Sequence, residues 1–416
     1  MPPGQSFVAL QHRNFRLIWI GLFASFTGSM MQNAALLWHV SLLVPPERKA
    51  LALGLVGLVR VVPIIVFSMI SGVVADAWNR RRLMLVTQAA ATLVAAALGV
   101  LAFRGTTAVW PIYLLAGLGS AVGAFDLPAR NSLMPTLVPR EHLPNAISLN
   151  TIMFQTASVV GPSLGGLLIA VANVGWAYIA NAISFSFVIV ALLMMRDVPA
   201  RAPSEGGSRD DVSLHAALEG LRFVFRSPLI RSTMLLDFFA TFFSSATALL
   251  PIFAQDILQV GAKGYGWLYA APAVGAMATS AVMVPMTERI ERRGPTLLWA
   301  VGGYGLTTIV FGISRTFWLT FACLALTGAT DTVSTVIRNV IRQLETPDRL
   351  RGRMTGVNMV FFLGGPQLGE LEAGAVANWF GASFSVITGG IGCLIATAWV
   401  AVSTPALRRY GRERGA

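Results

Sequence analysis

The chain has 416 residues, of which 55% are hydrophobic and only 12% are charged. Soluble proteins carry about 25% charged residues, so this composition excludes a soluble globular domain and indicates a protein embedded in lipid. The formal net charge of +12 could indicate a nucleic-acid binder. We expect no nucleic-acid partner, because the basic residues lie in short loops between apolar runs.

Apolar runs long enough to cross a ~30 Å hydrocarbon core recur along the whole chain. Their length and continuity favour helices over the short alternating strands of a β-barrel. The predicted fold class is an all-α membrane protein with twelve transmembrane helices. The predicted spans are residues 16–42, 51–75, 83–103, 108–127, 146–171, 175–195, 231–253, 264–286, 295–313, 317–337, 354–377 and 382–403.

The positions of the basic residues set the expected orientation. If the amino terminus is cytoplasmic, the opposite side carries only Arg48, Lys49, Arg104, Lys263 and Arg315. Apart from Arg60, which falls inside the second span, all other bases then lie in the cytoplasm, as the positive-inside rule requires. An even number of spans returns the carboxyl terminus, LRRYGRERGA, to the cytoplasm as well.

The longest polar stretch divides the predicted spans six and six. It predicts an N-terminal six-helix bundle over 1–195, a cytoplasmic linker over 196–230, and a C-terminal six-helix bundle with a cytoplasmic tail over 231–416. The linker is rich in Pro and Gly and ends in VSLHAALEGLRFVFR. The helical spacing of Leu and Phe there predicts an amphipathic helix on the cytoplasmic membrane face; a solvated connector is the alternative.

The two halves contain a weak internal repeat. GAFD at 123–126 matches GATD at 328–331, and GPSLGG at 161–166 matches GPQLGE at 365–370. A duplicated six-helix unit predicts two pseudo-symmetric bundles, with substrate bound between them and access alternating by rocking.

The loop between the second and third spans, GVVADAWNRRR, resembles the loop signature of the major facilitator superfamily. The matching residues are Gly72, Asp76, Arg80 and Arg81. Ala77 and Asn79 depart from the signature, where it has a basic residue and a second Gly. The resemblance covers essentially the whole chain and implies a cytoplasmic gate in which Asp76 engages a neighbouring helix end and nearby arginines. Simple topology anchoring is the alternative role for the arginines.

Three further stretches resemble particular branches of that superfamily. FDLPARNSLMPTLVP at 125–139 and GGPQLGELEAGAVANWFG at 364–381 are similar to bacterial exporters related to the enterobactin exporter. GPSLGG resembles the fifth-span motif of drug/proton antiporters, although helix packing alone would also explain its small residues. The packing candidates are Gly161, Pro162, Gly165 and Gly166. The resemblance implies a bacterial cytoplasmic (inner) membrane protein, and we expect a monomer.

Ionisable groups inside a membrane span are costly and usually functional. Asp237 lies in the seventh span, in the apolar stretch LLDFFATFF. In the resembled fold that span lines the central cavity, so we interpret Asp237 as a proton-coupling or cationic-substrate site. A structural hydrogen bond is the alternative.

Two other predicted groups of charges lie at the two ends of the spans. Arg60 and Glu370 lie at similar depth in spans that face each other in the resembled fold. We therefore predict an ion pair that closes the outer side, with Glu372 as the alternate partner; neutralisation within each bundle is the alternative. Together with Asp237, these three residues are the candidates for proton coupling or substrate binding. At the inner ends of the fourth and tenth spans, the predicted gate-supporting pairs are Asp126 with Arg130 and Asp331 with Arg338.

Polar residues within spans one and five are candidate cavity contacts, namely Gln32, Asn33, Asn150 and Gln155. The four His residues have no metal-ligand spacing, and no phosphate-binding GxxxxGK[ST] loop occurs. We therefore expect no metal, no cofactor and no enzymatic activity. The expected partners are a small-molecule substrate, protons and the lipid bilayer.

The predicted function is secondary active transport, namely proton-coupled export of a small amphiphilic compound such as a drug or siderophore. A lipid or lysolipid flippase of the same fold is one alternative. A membrane sensor or scaffold that transports nothing is the other.

Overall fold

The computed structural model of the chain describes residues 7–196, 221–244, 247–286, 289–347 and 350–411, except for some side chains within 68–77, 284–285 and 351–363. Across these residues the secondary structure is almost wholly helical and contains no strand. Backbone groups in lipid must find partners within their own segment, and a helix provides them.

Six long helices form the first half of the chain. They are α1 (Arg13–Leu43), α2 (Pro46–Ala77), α3 (Arg80–Phe103), α4 (Trp110–Leu133), α5 (Leu143–Val171) and α6 (Val174–Met194). Short polar connections separate them. The side-chain oxygen of Asn79 caps α3 by accepting from the backbone N–H groups of Arg81 and Arg82, at 3.1 and 3.2 Å. Such a cap satisfies donors that the first helical turn leaves free.

Six further long helices form the second half. They are α7 (Pro228–Phe243), α8 (Gly261–Met286), α9 (Arg293–Ile313), α10 (Phe317–Glu345), α11 (Arg351–Phe380) and α12 (Ala382–Ser403). The helices begin and end within a few residues of the predicted spans. The clearest exceptions are α4 and α10, whose ordered helix continues well past the apolar run into polar sequence.

The predicted seventh span is not one continuous helix. α7 ends at Phe243, and a 3₁₀ turn (Thr247–Leu249), a short α-helical turn (Leu250–Ile252) and a π-helical turn (Phe253–Ile257) follow. Pro251 lies in the first turn of the middle piece. Proline has no N–H and is tolerated in a first helical turn but not in a helix interior, which explains why the helix restarts there.

Nine segments within the described residues are long and apolar enough to cross a bilayer. They fall in all the long helices except α1, α8 and α11. Gln32 and Asn33 lower the mean hydropathy of α1, and Glu370 and Glu372 lower that of α11. Helix α8 is rich in Gly and Ala. The all-α membrane fold is thus confirmed, while the count of twelve crossings stays a prediction.

The chain divides into two compact units. Unit 1 comprises Met1–Val44, Val59–Gly206 and Gly261–Ala270, and unit 2 comprises Pro45–Leu58, Gly207–Val260 and Ala271–Ala416. The grouping differs from the predicted bundles in two places, because the start of α2 belongs to unit 2 and the start of α8 to unit 1. The predicted boundaries at 195 and 230 remain untested.

Most of the predicted linker and its amphipathic helix lie outside the described residues. The described part, residues 221–226, is helical. Val224 is buried against Ile230, Met234 and Met354 in unit 2, so this segment is anchored to the start of α7.

Within unit 1, α1 packs against α5 and α6, and α3 packs against α4 and α6. All four packing candidates of GPSLGG are buried in α5. A Cβ on Gly161 would come within 2.5 Å of the Thr27 carbonyl oxygen, and one on Gly166 within 2.5 Å of the Ala262 carbonyl oxygen. These glycines therefore allow α5 to approach α1 and the start of α8 more closely than any larger residue would.

Candidate functional site

Unit 1 contains a cavity of about 240 Å³ between helices α1, α2, α3, α4 and α6. Several predicted residues line it, namely Gln32, Asn33, Arg60, Asp126 and Arg130. The other two predicted cavity residues, Asn150 and Gln155, lie on α5 and are not among its lining residues. Phe26, Met30 and Phe185 provide an apolar part of the wall.

Asp126 is the centre of a hydrogen-bond network in this wall. It is 5% exposed; its Oδ1 accepts from Thr87 Oγ1 at 2.8 Å and from Gln88 Nε2 at 2.9 Å. Its Oδ2 pairs with Arg130, one helical turn away on α4. Arg130 in turn lies 4.3 Å from the centre of the Phe26 ring, a cation–π contact. The buried carboxylate is thus neutralised within unit 1.

Two polar atoms of this network are buried without a hydrogen-bond partner among the described residues. They are Oε1 of Gln88 and Nε of Arg130. Buried polar atoms are nearly always hydrogen-bonded. Both residues line the cavity, so a ligand there would lie beside two side chains whose hydrogen bonding is incomplete.

The polar pair on α1 is held by neighbouring helices. Gln32 Oε1 accepts from Asn181 Nδ2 of α6 at 2.8 Å, and Asn33 Oδ1 accepts from Arg60 Nη2 of α2 at 3.2 Å. Thr87, Gln88 and Asn181 are not among the residues predicted from the sequence. A signal was present for Gln88, because it is the one strongly polar residue in the apolar part of α3.

Unit 2 contains a buried charge cluster between α7 and α10. Arg338 is 1% exposed and Asp237 3% exposed; their side chains form an ion pair at 2.9 Å. The same nitrogen, Nη2, lies 3.5 Å from Asp331, whose side chain is 47% exposed, and donates to Thr335 Oγ1 at 2.8 Å. One guanidinium therefore serves two carboxylates of very different exposure.

A second arginine, Arg342, lies one turn further along α10 and is also buried. It donates to Asn358 of α11 and, at 2.9 Å, to Asn339. Its Nε donates to the Arg338 carbonyl oxygen at 3.2 Å. Sequence analysis missed Arg342, although its spacing of four residues from Arg338 places both on one face of the helix.

The repeat-related pairs differ in detail. In unit 1 the acid and base, Asp126 and Arg130, are four residues apart on one helix and pair with each other. In unit 2 the spacing of Asp331 and Arg338 is seven residues, and the arginine also reaches Asp237 on α7. Only the second arrangement leaves an exposed acid beside a buried ion pair.

The predicted outer pair falls in different units, with Arg60 in unit 1 and Glu370 in unit 2, so that pair stays a prediction. Glu370 is 7% exposed. A Cβ on Gly57 would lie 2.9 Å from the Glu370 Cβ, so the start of α2 packs directly on this acid within unit 2. Glu372 is half-buried on the same helix.

Unit 2 also holds an ion pair that sequence analysis missed. Lys49, at the start of α2, is 8% exposed. Its Nζ lies 3.0 Å from Asp256 Oδ2 and 3.1 Å from Gln255 Oε1, both in the π-helical turn after α7. The two partners are about 200 residues apart in sequence, so no local pattern indicated the contact.

The surroundings of Gly72 and the side chain of Asp76 lie outside what the structure describes, and their predicted gate role is untested. The two basic residues that follow in the loop, Arg80 and Arg81, donate hydrogen bonds to backbone carbonyl oxygens at helix ends. Arg80 Nη1 donates to the Ser132 carbonyl oxygen at 2.7 Å, and Arg81 Nη2 to the Leu193 carbonyl oxygen at 3.3 Å. Cations at the carboxyl ends of helices are stabilising, and here they join α3 to the ends of α4 and α6.

Known proteins resemble this chain over nearly its whole length. The family described as transmembrane secretion effector, MFS_3, matches residues 4–410. The enterobactin exporters EntS of Shigella boydii serotype 18 and of Escherichia coli O157:H7 are each 27% identical over 409 residues. That alignment covers 96% of this chain and 94% of theirs.

Solved structures show the same fold. A bacterial homologue of the human lysosomal transporter Spinster, in an inward-facing and unoccupied conformation, has a TM-score of 0.72 at 15% identity. It covers 99% of this chain and 100% of that one. A bacterial homologue of the iron transporter ferroportin, in an inward-facing state, has a TM-score of 0.68 at 13% identity and covers 96% and 99%.

Proposed function

Because this chain belongs to the MFS_3 family of transmembrane secretion effectors, which confirms the superfamily resemblance, we propose that it is a secondary active transporter that exports a small amphiphilic compound in exchange for protons. The relatives named as enterobactin exporters support export as the direction and a siderophore-like or drug-like compound as cargo. The distribution of bases supports an inner-membrane protein with both termini in the cytoplasm.

The shared guanidinium of Arg338 is the observation that carries proton coupling. When Asp331 is ionised, Arg338 neutralises it in part; when Asp331 takes up a proton, Arg338 still has Asp237 as its counter-ion. The buried arginine therefore keeps a partner in both protonation states, which avoids the high cost of an unpaired charge in the membrane. In this proposal Asp331 exchanges the proton and Asp237 is the fixed counter-ion.

The unit 1 cavity supports an amphiphilic cargo. Its wall combines the aromatic rings of Phe26 and Phe185 and the thioether of Met30 with the amide and guanidinium groups described above. Sites for small molecules commonly join a mainly apolar surface with a few placed polar groups. Alternating access belongs to the same proposal, because the internal repeat supports two bundles that move about a shared substrate site.

The test uses the purified full-length chain in proteoliposomes with an imposed pH gradient. Enterobactin and ethidium serve as probes of the siderophore and drug classes, and an internal pH dye reports proton movement. We expect the gradient to drive accumulation of at least one probe together with proton flux in the opposite direction. Asp331→Asn should abolish gradient-driven accumulation but retain exchange of labelled for unlabelled probe. Glu141→Gln, an acid whose side chain is 76% exposed, is the matched control and should behave like the wild type.

Other outcomes would favour other functions. Probe movement that is the same with and without the gradient would contradict proton coupling. Movement of a fluorescent lysolipid but of neither probe would favour a flippase. Probe binding without any transport would favour a sensor or scaffold.

A further inference from the structure

Unit 2 contains a second cavity, of about 290 Å³, where the start of α7 meets the end of α12. The lining residues are Phe225, Arg231, Ser232, Leu235, Trp399, Val400, Ser403 and Thr404. This cavity belongs neither to the charge cluster nor to the polar cavity of unit 1, and the transport proposal does not use it.

Most of the surface that lines the cavity is apolar. Phe225 is 49% exposed and Trp399 is 53% exposed, and Leu235 and Val400 also line the cavity. The Trp399 ring packs edge-on against Phe239 at 6.4 Å, which holds it in place. Tryptophan is enriched at the level of lipid headgroups because its ring is apolar and its N–H is polar.

The lining also includes one basic residue, Arg231, and three hydroxyl residues. None of the eight lining residues is acidic, and among the described residues no carboxylate pairs with Arg231. Exposed arginines flank the lining residues in the chain, namely Arg222, Arg226, Arg408 and Arg409. The Thr404 hydroxyl adds a hydrogen-bonding group. The cavity is therefore complementary in charge to an anion that also has an apolar part.

The position of the cavity agrees with that chemistry. It lies at the first turn of α7 and the last turn of α12, which the positive-inside pattern places at the cytoplasmic membrane surface. Basic pockets between helices at that surface bind lipid headgroups. Its volume is near the lower limit for small-molecule sites, enough for a phosphoglycerol group and the first part of an acyl chain.

We propose that this cavity binds an anionic phospholipid, with the phosphate at Arg231 and the acyl chain along Trp399 and Leu235. The lipid would join the segment before α7 to the end of α12. This proposal does not depend on the transported cargo or on proton coupling, and its test measures lipid binding alone.

The test is native mass spectrometry of the full-length protein after delipidation, titrated with phosphatidylglycerol or phosphatidylcholine. We expect phosphatidylglycerol to bind more tightly than phosphatidylcholine. A basic residue at a membrane surface contributes roughly a fivefold change in lipid affinity, so Arg231→Gln should weaken phosphatidylglycerol binding by about that factor. Arg231→Lys should restore most of it. Arg104→Gln, which removes an exposed arginine at the end of α3 in unit 1, is the matched control and should bind as the wild type does.

Three outcomes would overturn the proposal. The first is equal binding of the two lipids. The second is an Arg231→Gln variant that binds phosphatidylglycerol as tightly as the Arg104→Gln variant. The third is displacement of the lipid by millimolar inorganic phosphate, which would identify a simple phosphate site rather than a lipid site.

Discussion

The Arg338 guanidinium lies 2.9 Å from the Asp237 carboxylate, and both side chains are almost completely excluded from solvent. Asp331 approaches the same guanidinium at 3.5 Å with a side chain that is 47% exposed. Breaking a buried ion pair by removing one partner costs about 3–5 kcal/mol, because a buried charge is left unpaired. The contact of Arg338 with Asp331 is longer and its carboxylate is half-exposed, so water can solvate the acid; a fully exposed pair is worth only about 0–1 kcal/mol. The two acids should therefore differ sharply in what they contribute to stability.

We expect Asp237→Asn to lower the melting temperature of the detergent-purified protein far more than Asp331→Asn does. Thermal unfolding followed by tryptophan fluorescence measures both variants against the wild type. Replacing Asp237 and Arg338 together, by Leu and Met, should recover part of the loss, because neither side chain of the fully buried pair is then left as an unpaired charge. Asp331 loses its contact with Arg338 in this variant, but its side chain is 47% exposed. Equal effects of the two single variants would show that Asp237 is not the principal counter-ion of Arg338.

The close approach of α5 to α1 gives a second prediction. A Cβ on Gly161 would meet the Thr27 carbonyl oxygen at 2.5 Å, and backbone cannot move aside as a flexible side chain can. Gly161→Ala should destabilise the protein by about 1–3 kcal/mol, the usual cost of overpacking. Gly302→Ala in α9 is the control, because a Cβ there has nothing within 4 Å.

Chemical denaturation or thermal unfolding in detergent can compare the two alanine variants. Gly302→Ala should be neutral or slightly stabilising, since alanine is the better helix former. A Gly161→Ala protein as stable as the Gly302→Ala protein would show that α5 can shift away from α1 without cost.

The helices were predictable from sequence because lipid imposes one rule on every span, namely a long apolar run with its hydrogen bonds made internally. The break after Phe243 shows the limit of that rule. The residues after the break, TALLPIFA, are as apolar as any helix interior, and only Pro251 indicates that the helix must restart. The assignment of the start of α2 to unit 2 and of the start of α8 to unit 1 was not predictable. Apolar periodicity does not specify which neighbour a helix packs against.

A charge that stands alone in an apolar run, as Asp237 does, can be singled out from the sequence, and its role as a site residue stays a prediction. Its partner was not identified, because Arg338 is about 100 residues away and pairing depends on tertiary structure. Gln88 and Thr87 were missed for a related reason. Uncharged polar residues are common in membrane helices, and only the fold shows that these two bind a buried carboxylate.

Gln88 gives a third prediction, on substrate binding. Gln88→Leu keeps the approximate volume but removes the amide whose Oε1 has no partner in the described part of the chain. Asp126 keeps Thr87 and Arg130 as partners, so the loss of stability should be only about 1 kcal/mol. For whichever probe the wild type exports in the proteoliposome test, the KM should rise about three- to tenfold, which corresponds to the loss of one hydrogen bond.

Thr92→Val is the matched control for Gln88→Leu. Thr92 lies one turn further along α3, donates only to the Gln88 carbonyl oxygen at 2.8 Å and is not among the lining residues of the cavity. The KM of each variant is obtained from transport rates measured in proteoliposomes at increasing cargo concentration. An unchanged KM in Gln88→Leu, or an equal rise in Thr92→Val, would exclude a direct contact between Gln88 and the cargo.

The end of the described chain provides a prediction outside the membrane. Tyr410 follows α12 and its hydroxyl donates to Glu345 Oε1, at the end of α10, at 2.9 Å. The backbone N–H of Gly294, at the start of α9, donates to the Tyr410 carbonyl oxygen at 3.0 Å. Burial of the ring, together with the hydrogen bond to Glu345 and its negative charge, raises the pKa of Tyr410 to about 12.

Tyrosine in an unfolded chain ionises near pH 10, so the folded protein holds this proton more tightly than the unfolded protein does. The stabilisation is therefore complete below pH 10 and is lost as the pH rises from 10 to 12. Tyr410→Phe has no proton to lose and lacks the hydrogen bond. Its melting temperature should lie below that of the wild type at pH 8, and the difference should shrink between pH 10 and 12. A difference that stays constant over that range would mean that Tyr410 ionises equally in both states.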